Sequence, residues 1–488
     1  MQQAPRLVSQ AVTFAHLWME GQWLREATVA IGPAGEVLAV TATDGRADGS
    51  ADSAAAGRAA GDGRSAVVPP RVSGLTLPGL TDAHCHSFQR ALGAWTQRAA
   101  TQRDDFWSWR EPMYALAGML TPADLEAISA RCYLDLLRGG YTGVAEFLYL
   151  HRIAAPRGAA PDADLAIAAA ARRTGIALTL LPTLYQHADF GGVPPLPGQR
   201  PFVRDTAQFL ADWQELACRY PAGRPVALGA AFHSLRAVDI EAITRVQAAL
   251  RAERLCRCLH IHAAEQPAEV AACLRHYGST PVALLATRGL LSPQWALVHG
   301  THATDAELTQ LRAAQATLVL CPTTEADLGD GCPSLAPYLD AGGQIAIGSD
   351  SNIGRVALNE LRQLEWSQRL AQGRRNVLAT AQEPAVADRL FRAALRGGRS
   401  AVGEVPVPGA APGLGFRADF VTYDTEAGDW ELQAPGNYLS ALTFDAAAPQ
   451  ARQVMVGGRW VIRDGVHAEA AGIESEYRAT LQRLAALR

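Results

Sequence analysis

Leu77-Pro78-Gly79-Leu80-Thr81-Asp82-Ala83-His84-Cys85-His86 reads as an apolar strand ending in two histidines one residue apart. Side chains alternate faces along a strand, so His84 and His86 point the same way. Two imidazoles on one face at a strand end can grip one metal ion, and imidazole suits zinc. A His-x-His pair decides little alone, so the remaining ligands have to be found downstream.

Seven further apolar runs follow: Val144–Leu150, Ile176–Leu184, Pro225–His233, Cys256–Ala263, Gln294–His299, Ala316–Cys321 and Gln344–Ser349. With Leu75–His84 they make eight. Amphipathic stretches lie between them, among them Pro122–Leu137, Ala163–Arg173, Thr206–Arg219, Ile240–Arg251 and Asp305–Ala314. Eight strands alternating with helices predict an α/β fold, a (β/α)8 TIM-type barrel over residues 76–401. A doubly wound open sheet is the alternative, but no glycine-rich phosphate turn follows the first strand.

Both ends of the chain read as β-rich. Ala11–Phe14, Gly21–Leu24 and Thr28–Ile31 are short strand candidates, and Ala418–Tyr423 is another. Val454–Ile462 reads as a hairpin turning at Gly457-Gly458. Residues 1–75 and 402–488 are therefore expected to form one small β-sandwich domain, closed by a helix over Ile473–Leu487. Residues 41–66, rich in Ala, Gly, Asp, Ser and Arg without periodicity, read as a mobile loop.

Composition narrows the function classes. The 488 residues are 49% hydrophobic with a formal net charge of -4, enough for a large core and no footprint for nucleic acid. The N-terminal segment lacks a basic and apolar leader, and no run approaches membrane-spanning length, so a cytoplasmic protein is expected. Several of the 8 cysteines sit in apolar runs (Cys132, Cys258, Cys321), as reduced thiols would. All 44 basic residues are arginine. Without lysine, Schiff-base chemistry, a P-loop and a carboxylated-lysine bridge between two metals are excluded.

A barrel places its chemistry at the C-terminal strand ends. These read His84 and His86; Glu146 to His151; His233-Ser234-Leu235-Arg236; His260-Ile261-His262-Ala263-Ala264-Glu265; His299 to His302; and Ser349-Asp350. Most of the 12 histidines fall there, which scattered core histidines would not do. His84, His86, one of the fifth-strand histidines and Asp350 could supply ligands to a zinc that makes water acidic. Glu265 could shuttle a proton to a leaving nitrogen, and His299 could orient or deprotonate the water.

These residues resemble the amidohydrolase superfamily, in its mononuclear-zinc deaminase branch. The resemblance implies His84, His86, His262 and Asp350 as metal ligands for one zinc ion per chain, or another divalent metal in its place. It implies Glu265, His299 and Asp350 as the catalytic groups. Longer strings look like the formimidoylglutamate deiminases of histidine degradation: His86-Ser87-Phe88-Gln89-Arg90-Ala91, Phe106-Trp107-Ser108-Trp109-Arg110-Glu111, Glu146-Phe147-Leu148-Tyr149, His233 to Arg236, and Leu320 to Gly331. They imply deimination of N-formimidoyl-L-glutamate to N-formyl-L-glutamate and ammonia. Gln89, Arg110, Tyr149, His233 and Arg236 would be the substrate-binding residues, and a homodimer is the implied assembly. Independently, the planar fork of arginine suits the two carboxylates of such a substrate, with Arg110 and Arg236 the favoured pair. Rival expectations are an aminohydrolase of another formimino acid or a nucleobase-like ring, and a silent metal-binding scaffold on the same fold. Two positions depart from the family: Cys85 between the ligand histidines, and Asn352, where the family tends to carry histidine.

Overall fold

The computed structural model describes residues 7–43, 68–98, 104–151, 153, 162–221, 226–253, 255–407, 410, 413–424, 433–445 and 449–487. Most of the expected loop, residues 44–66, lies outside the described residues. Eight parallel strands run in spatial order: Leu80–Cys85, Tyr141–Leu148, Ala177–Leu184, Val226–Ser234, Cys256–Ala263, Trp295–His299, Thr317–Leu320 and Gln344–Ile347. The second is buried at every residue, as a strand covered on both faces must be.

The eighth strand returns to the first and closes the barrel. A parallel bridge links Cys85 to Asp350. Asp350 N–H donates to the His84 carbonyl at 2.9 Å, and His86 N–H donates to the Asp350 carbonyl at 3.0 Å. Buried Asp82 accepts from Ser349 N–H at 2.9 Å and from Ser349 Oγ at 2.6 Å. The approach is close enough to require glycine at 348, where an added Cβ would sit 2.8 Å from the His84 backbone.

Capping chemistry sets the helices between strands. Helix Pro122–Arg138 starts with a capping box: Thr121 N–H donates to Asp124 Oδ2 at 2.9 Å, and Asp124 N–H donates back to Thr121 Oγ1 at 3.2 Å. Thr304 and Glu307 repeat the arrangement at Asp305–Ala313.

The two ends of the chain meet in one seven-stranded sheet. Gln10–Met19 pairs antiparallel with Gln22–Ile31 and parallel with Arg71–Pro78, and Phe420–Tyr423 pairs with Arg71–Pro78 from the other side. One face buries its own cluster, including Phe14, Val29, Ile31, Phe420 and Met455. Trp18, Leu75 and Leu77 join the main core.

Two expectations change in detail. The run Leu75–His84 is two strands, not one. Leu75–Pro78 belongs to the terminal sheet, and the barrel strand begins at Leu80; the break falls at Pro78-Gly79, because proline lacks a ladder donor. The short N-terminal candidates are instead two ten-residue strands. Glu20 and Gly21, both at positive φ, turn one into the next, the geometry of a tight hairpin. The closing helix, Ala470–Ala486, packs on Pro122–Arg138. Among the described residues no helix is long and apolar enough to cross a membrane.

Candidate active site

Strand ends deliver the polar groups to one pocket. His86, Gln89, Arg110, Tyr149, His233, Arg236, His262, Glu265, His299 and Asp350 all line it. His84 lies beneath, fully buried. The floor is an arrangement of nitrogen and oxygen lone pairs. Donor atoms of His84, His262, His299 and Asp350 lie within 4.8 Å of one another. His86 joins through Asp350, its Nε2 3.3 Å from Oδ1, and His84 Nε2 is 3.4 Å from the same oxygen.

The histidine tautomers follow from their backbone partners. His86 Nδ1 donates to the Phe147 carbonyl at 2.9 Å, and His262 Nδ1 donates to the His233 carbonyl at 2.9 Å. Each leaves Nε2 as a bare lone pair. His262 Nε2 faces His84 Nε2 at 3.0 Å. Burial lowers the pKa of His84 to about 3 and lowers those of His86 and His262, so protons are not what fills this space. The His84, His86 and His262 nitrogens converging on the Asp350 carboxylate fit a divalent cation.

Above the floor sit two proton-handling groups. Burial raises the Glu265 carboxyl to about 8, even with the His299 cation pulling the other way. For His299 burial alone would lower the pKa, but Glu265, Glu325 and Asp350 outweigh it and raise it to about 10. His299 Nε2 is 3.7 Å from Glu265 Oε1 and 4.0 Å from Asp350 Oδ2. For Asp350 burial opposes ionisation, yet His84, His299 and His86 hold it well below the usual carboxylate range. The two acids flank His299 Nε2, and their pKa values are driven in opposite directions. Backbone strain collects at the same spot. Ala264, His299, Asp350 and Asn352 all have positive φ between 47° and 72°, unusual for residues other than glycine.

The mouth carries the cations. Arg236 is buried, and its Nε and Nη1 have no partner among the described residues. Arg110 is half-buried on helix Phe106–Ala117, which Asp105 caps at its start. Both guanidinium groups approach the Trp107 ring, at 5.2 Å for Arg110 and 5.7 Å for Arg236. Gln89 Nε2 donates to Tyr149 Oη at 2.8 Å, while its buried Oε1 is unpartnered. Unsatisfied buried polar atoms of this kind are costly unless a ligand meets them. His233 lies edge-on to Tyr149 and Tyr185, and burial together with Arg236 and Arg110 keeps its pKa well below normal.

Sequence reasoning missed several contributors. Tyr114, Tyr185 and Phe202 line the pocket without any local pattern to mark them. Glu269 holds the bend before Glu265, accepting from Ala264 N–H at 3.2 Å and Glu265 N–H at 3.0 Å. Its i+4 spacing from Glu265 on a helix start was the available signal. Asn352, marked in the sequence as a departure from the family, fastens the closing seam: its Nδ2 donates to the carbonyls of His86 at 2.9 Å and Asp350 at 3.1 Å, and its Oδ1 accepts from Cys132 Sγ at 2.9 Å.

Comparison with known proteins agrees with this chemistry. Residues 75–461 match the model of the amidohydrolase family. A formimidoylglutamate deiminase from Pseudomonas aeruginosa is 40% identical over 420 residues, covering 86% of this chain and 90% of its own. An 8-oxoguanine deaminase from the same organism is 30% identical, covering 84% and 88%. An amidohydrolase from Brucella melitensis superimposes with a TM-score of 0.86 at 32% identity, over 98% of this chain and all of its own. With its closed barrel, converging imidazoles and these relatives, the chain belongs to the amidohydrolase family, and it is a hydrolase of carbon–nitrogen bonds.

Proposed function

We propose that this enzyme hydrolyses N-formimidoyl-L-glutamate to N-formyl-L-glutamate and ammonia, a step of histidine degradation. One observation carries the reading. A single pocket has two guanidinium groups at its mouth, with Arg236 Nε and Nη1 unpartnered among the described residues, and buried acids at its floor. A substrate with two carboxylates and a cationic formimino group has the matching charges at its two ends. The 40% identity to a formimidoylglutamate deiminase supports the same choice.

Family members bind a metal, and His84, His86, His262 and Asp350 would hold it here. The four donors closest together exchange His86 for His299; with His299 raised and holding its proton, His86 is the better ligand. A zinc ion held there would supply Lewis acidity and make water acidic enough to attack at neutral pH. The side chains do the rest. Arg236 and Arg110 bind the carboxylates and set the formimino carbon over the floor. Gln89 and Tyr149 bind beside them. Asp350 and His299 orient the attacking oxygen. As oxygen bonds to the formimino carbon, Glu265 passes a proton to nitrogen. Activation of the water releases its first proton to solvent; the carbon–nitrogen bond then breaks, the remaining hydroxyl proton returns to Glu265, the nitrogen leaves as ammonia, and the formyl carbonyl remains.

Ammonia release from N-formimidoyl-L-glutamate by zinc-loaded protein tests the reading, with Arg236→Ala alongside. Release that collapses in the variant supports both the reaction and the arginine clamp. No release from zinc-loaded protein would overturn it. The aromatic walls formed by Tyr114, Tyr149, Tyr185 and Phe202 favour a second reading, a planar nucleobase-like substrate, in line with the 8-oxoguanine deaminase relative. Guanine-type ligands that displace dicarboxylates from the pocket would favour it.

A further inference from the structure

Glu325 has no assigned role in the reaction described above, yet it is buried against His299. It sits in the short helix Pro322–Leu328, just past the seventh strand. Its backbone N–H donates to the Cys321 carbonyl at 2.8 Å, and its Oε1 accepts from Cys321 N–H at 2.9 Å. That loop fixes the carboxylate from behind. In front, Oε1 lies 3.3 Å from His299 Nδ1. His299 is the last residue of its strand and has a φ of 72°, so its backbone is held in a sparsely populated conformation. Its ring still has a free torsion. A half-turn about that torsion would take Nε2 away from Glu265 and Asp350.

We propose that Glu325 is a positioning residue for His299. Resting on the functional reading above, its carboxylate binds the Nδ1 proton and locks the ring so that Nε2 faces Glu265 Oε1 and Asp350 Oδ2. An imidazole oriented by a carboxylate on its far nitrogen is a general device for fixing tautomer and direction. The backbone bond from Cys321 makes the device rigid, because Glu325 cannot follow His299 if the ring turns. Glu325 touches neither the reacting carbon nor the nitrogen in this scheme. Its effect should therefore fall on the chemical step and not on substrate binding.

The experiment uses zinc-loaded full-length protein and the variants Glu325→Gln and Glu325→Ala. For N-formimidoyl-L-glutamate, kcat should fall roughly 10- to 100-fold in Glu325→Ala, the range seen when an orienting partner is removed. KM should change by less than about threefold, since the arginine clamp is intact. Bound zinc should stay at one per chain. Imidazole nitrogen NMR of histidine-labelled protein should show a protonated Nδ1 for His299 in the wild type and lose that signal in Glu325→Ala. If Glu325→Ala does not fold, Glu325→Gln, which keeps an oxygen for Cys321 N–H, carries the same test with a smaller fall in kcat. Unchanged kcat with an unchanged His299 signal would overturn the proposal, and so would a second zinc lost with Glu325, which would make His299, Cys321 and Glu325 a metal site. If the wild type does not release ammonia from this substrate, the functional reading fails, and the NMR signal alone then decides the role of Glu325.

Discussion

The floor and the mouth of the pocket are built on opposite plans. On the floor several groups are fixed within the protein before any ligand arrives. His86 and His262 each spend one nitrogen on a carbonyl, Glu269 braces the bend at Glu265, and Asn352 stitches His86 to Asp350. At the mouth the arginine and glutamine groups keep unsatisfied atoms: Arg236 Nε and Nη1, and Gln89 Oε1. The floor is preorganised for a reaction, whereas the mouth is incomplete until a substrate fills it. Transition-state charge is best met by groups that do not move, and specificity is best served by groups left unpaired without the right ligand.

The comparison predicts a graded series of defects. Stripping the metal with a chelator should abolish ammonia release, and adding zinc should restore it; activity surviving at undetectable metal content would break the picture of the floor. Glu265→Gln should cost roughly 10²- to 10⁴-fold in kcat while bound zinc stays stoichiometric, because Glu265 is not among the clustered donors. Unchanged turnover would remove it from the mechanism. At the mouth, Arg236→Ala should cost about 1.5–3 kcal/mol of binding to a carboxylate, or roughly ten- to a hundredfold in kcat/KM, with metal content untouched. Arg110 is half-exposed, so Arg110→Ala should cost less, under about 1 kcal/mol, and its effect should shrink with added salt. An Arg110 effect larger than that of Arg236 would reverse the order of importance assigned here.

The smallest effect on turnover belongs to a buried acid behind the floor. Glu360 accepts from Thr323 N–H at 3.0 Å and Thr323 Oγ1 at 2.7 Å. Burial raises its carboxyl to about 8, although the Thr323 hydrogen bonds pull it down; unfolded, it would titrate near ~4.3. A folded pKa above the unfolded one means the native state binds that proton more tightly. The stabilisation is fully present below about pH 4 and is lost as pH rises through about 8. Denaturant titrations of Glu360→Gln should therefore show a flatter fall of stability over that window than the wild type. Parallel curves would mean that Glu360 does not titrate there.

Much of the floor was legible in the chain. His84 and His86 declared themselves by alternation on one strand, whereas the two fifth-strand histidines were separated only by the fold, which turns His262 into the pocket and His260 Nε2 onto the Ala401 carbonyl. Recognition of Arg110 and Arg236 needed the longer strings around them, because one arginine among 44 basic residues carries no positional signal. The aromatic walls were illegible for a related reason. Tyr114, Tyr185 and Phe202 look like any buried aromatic until the barrel turns them inward. Glu325 was visible within a quoted string, but its role depends on a residue 26 positions away.

By itself the sequence determined the repeating strand-and-helix pattern, the stock of imidazoles and carboxylates at strand ends, and the lack of lysine that limits the metal chemistry. These are properties of period and residue type, which neighbouring residues express locally. Only the tertiary structure decided which donors meet, which imidazole nitrogen stays free and which acid keeps its proton. Closing the barrel brings Asp350 onto His84 and His86 and shuts water out. That contact and that burial, together with the Phe147 and His233 carbonyls that take one nitrogen each from His86 and His262, set the pKa values and leave the free nitrogens facing one another.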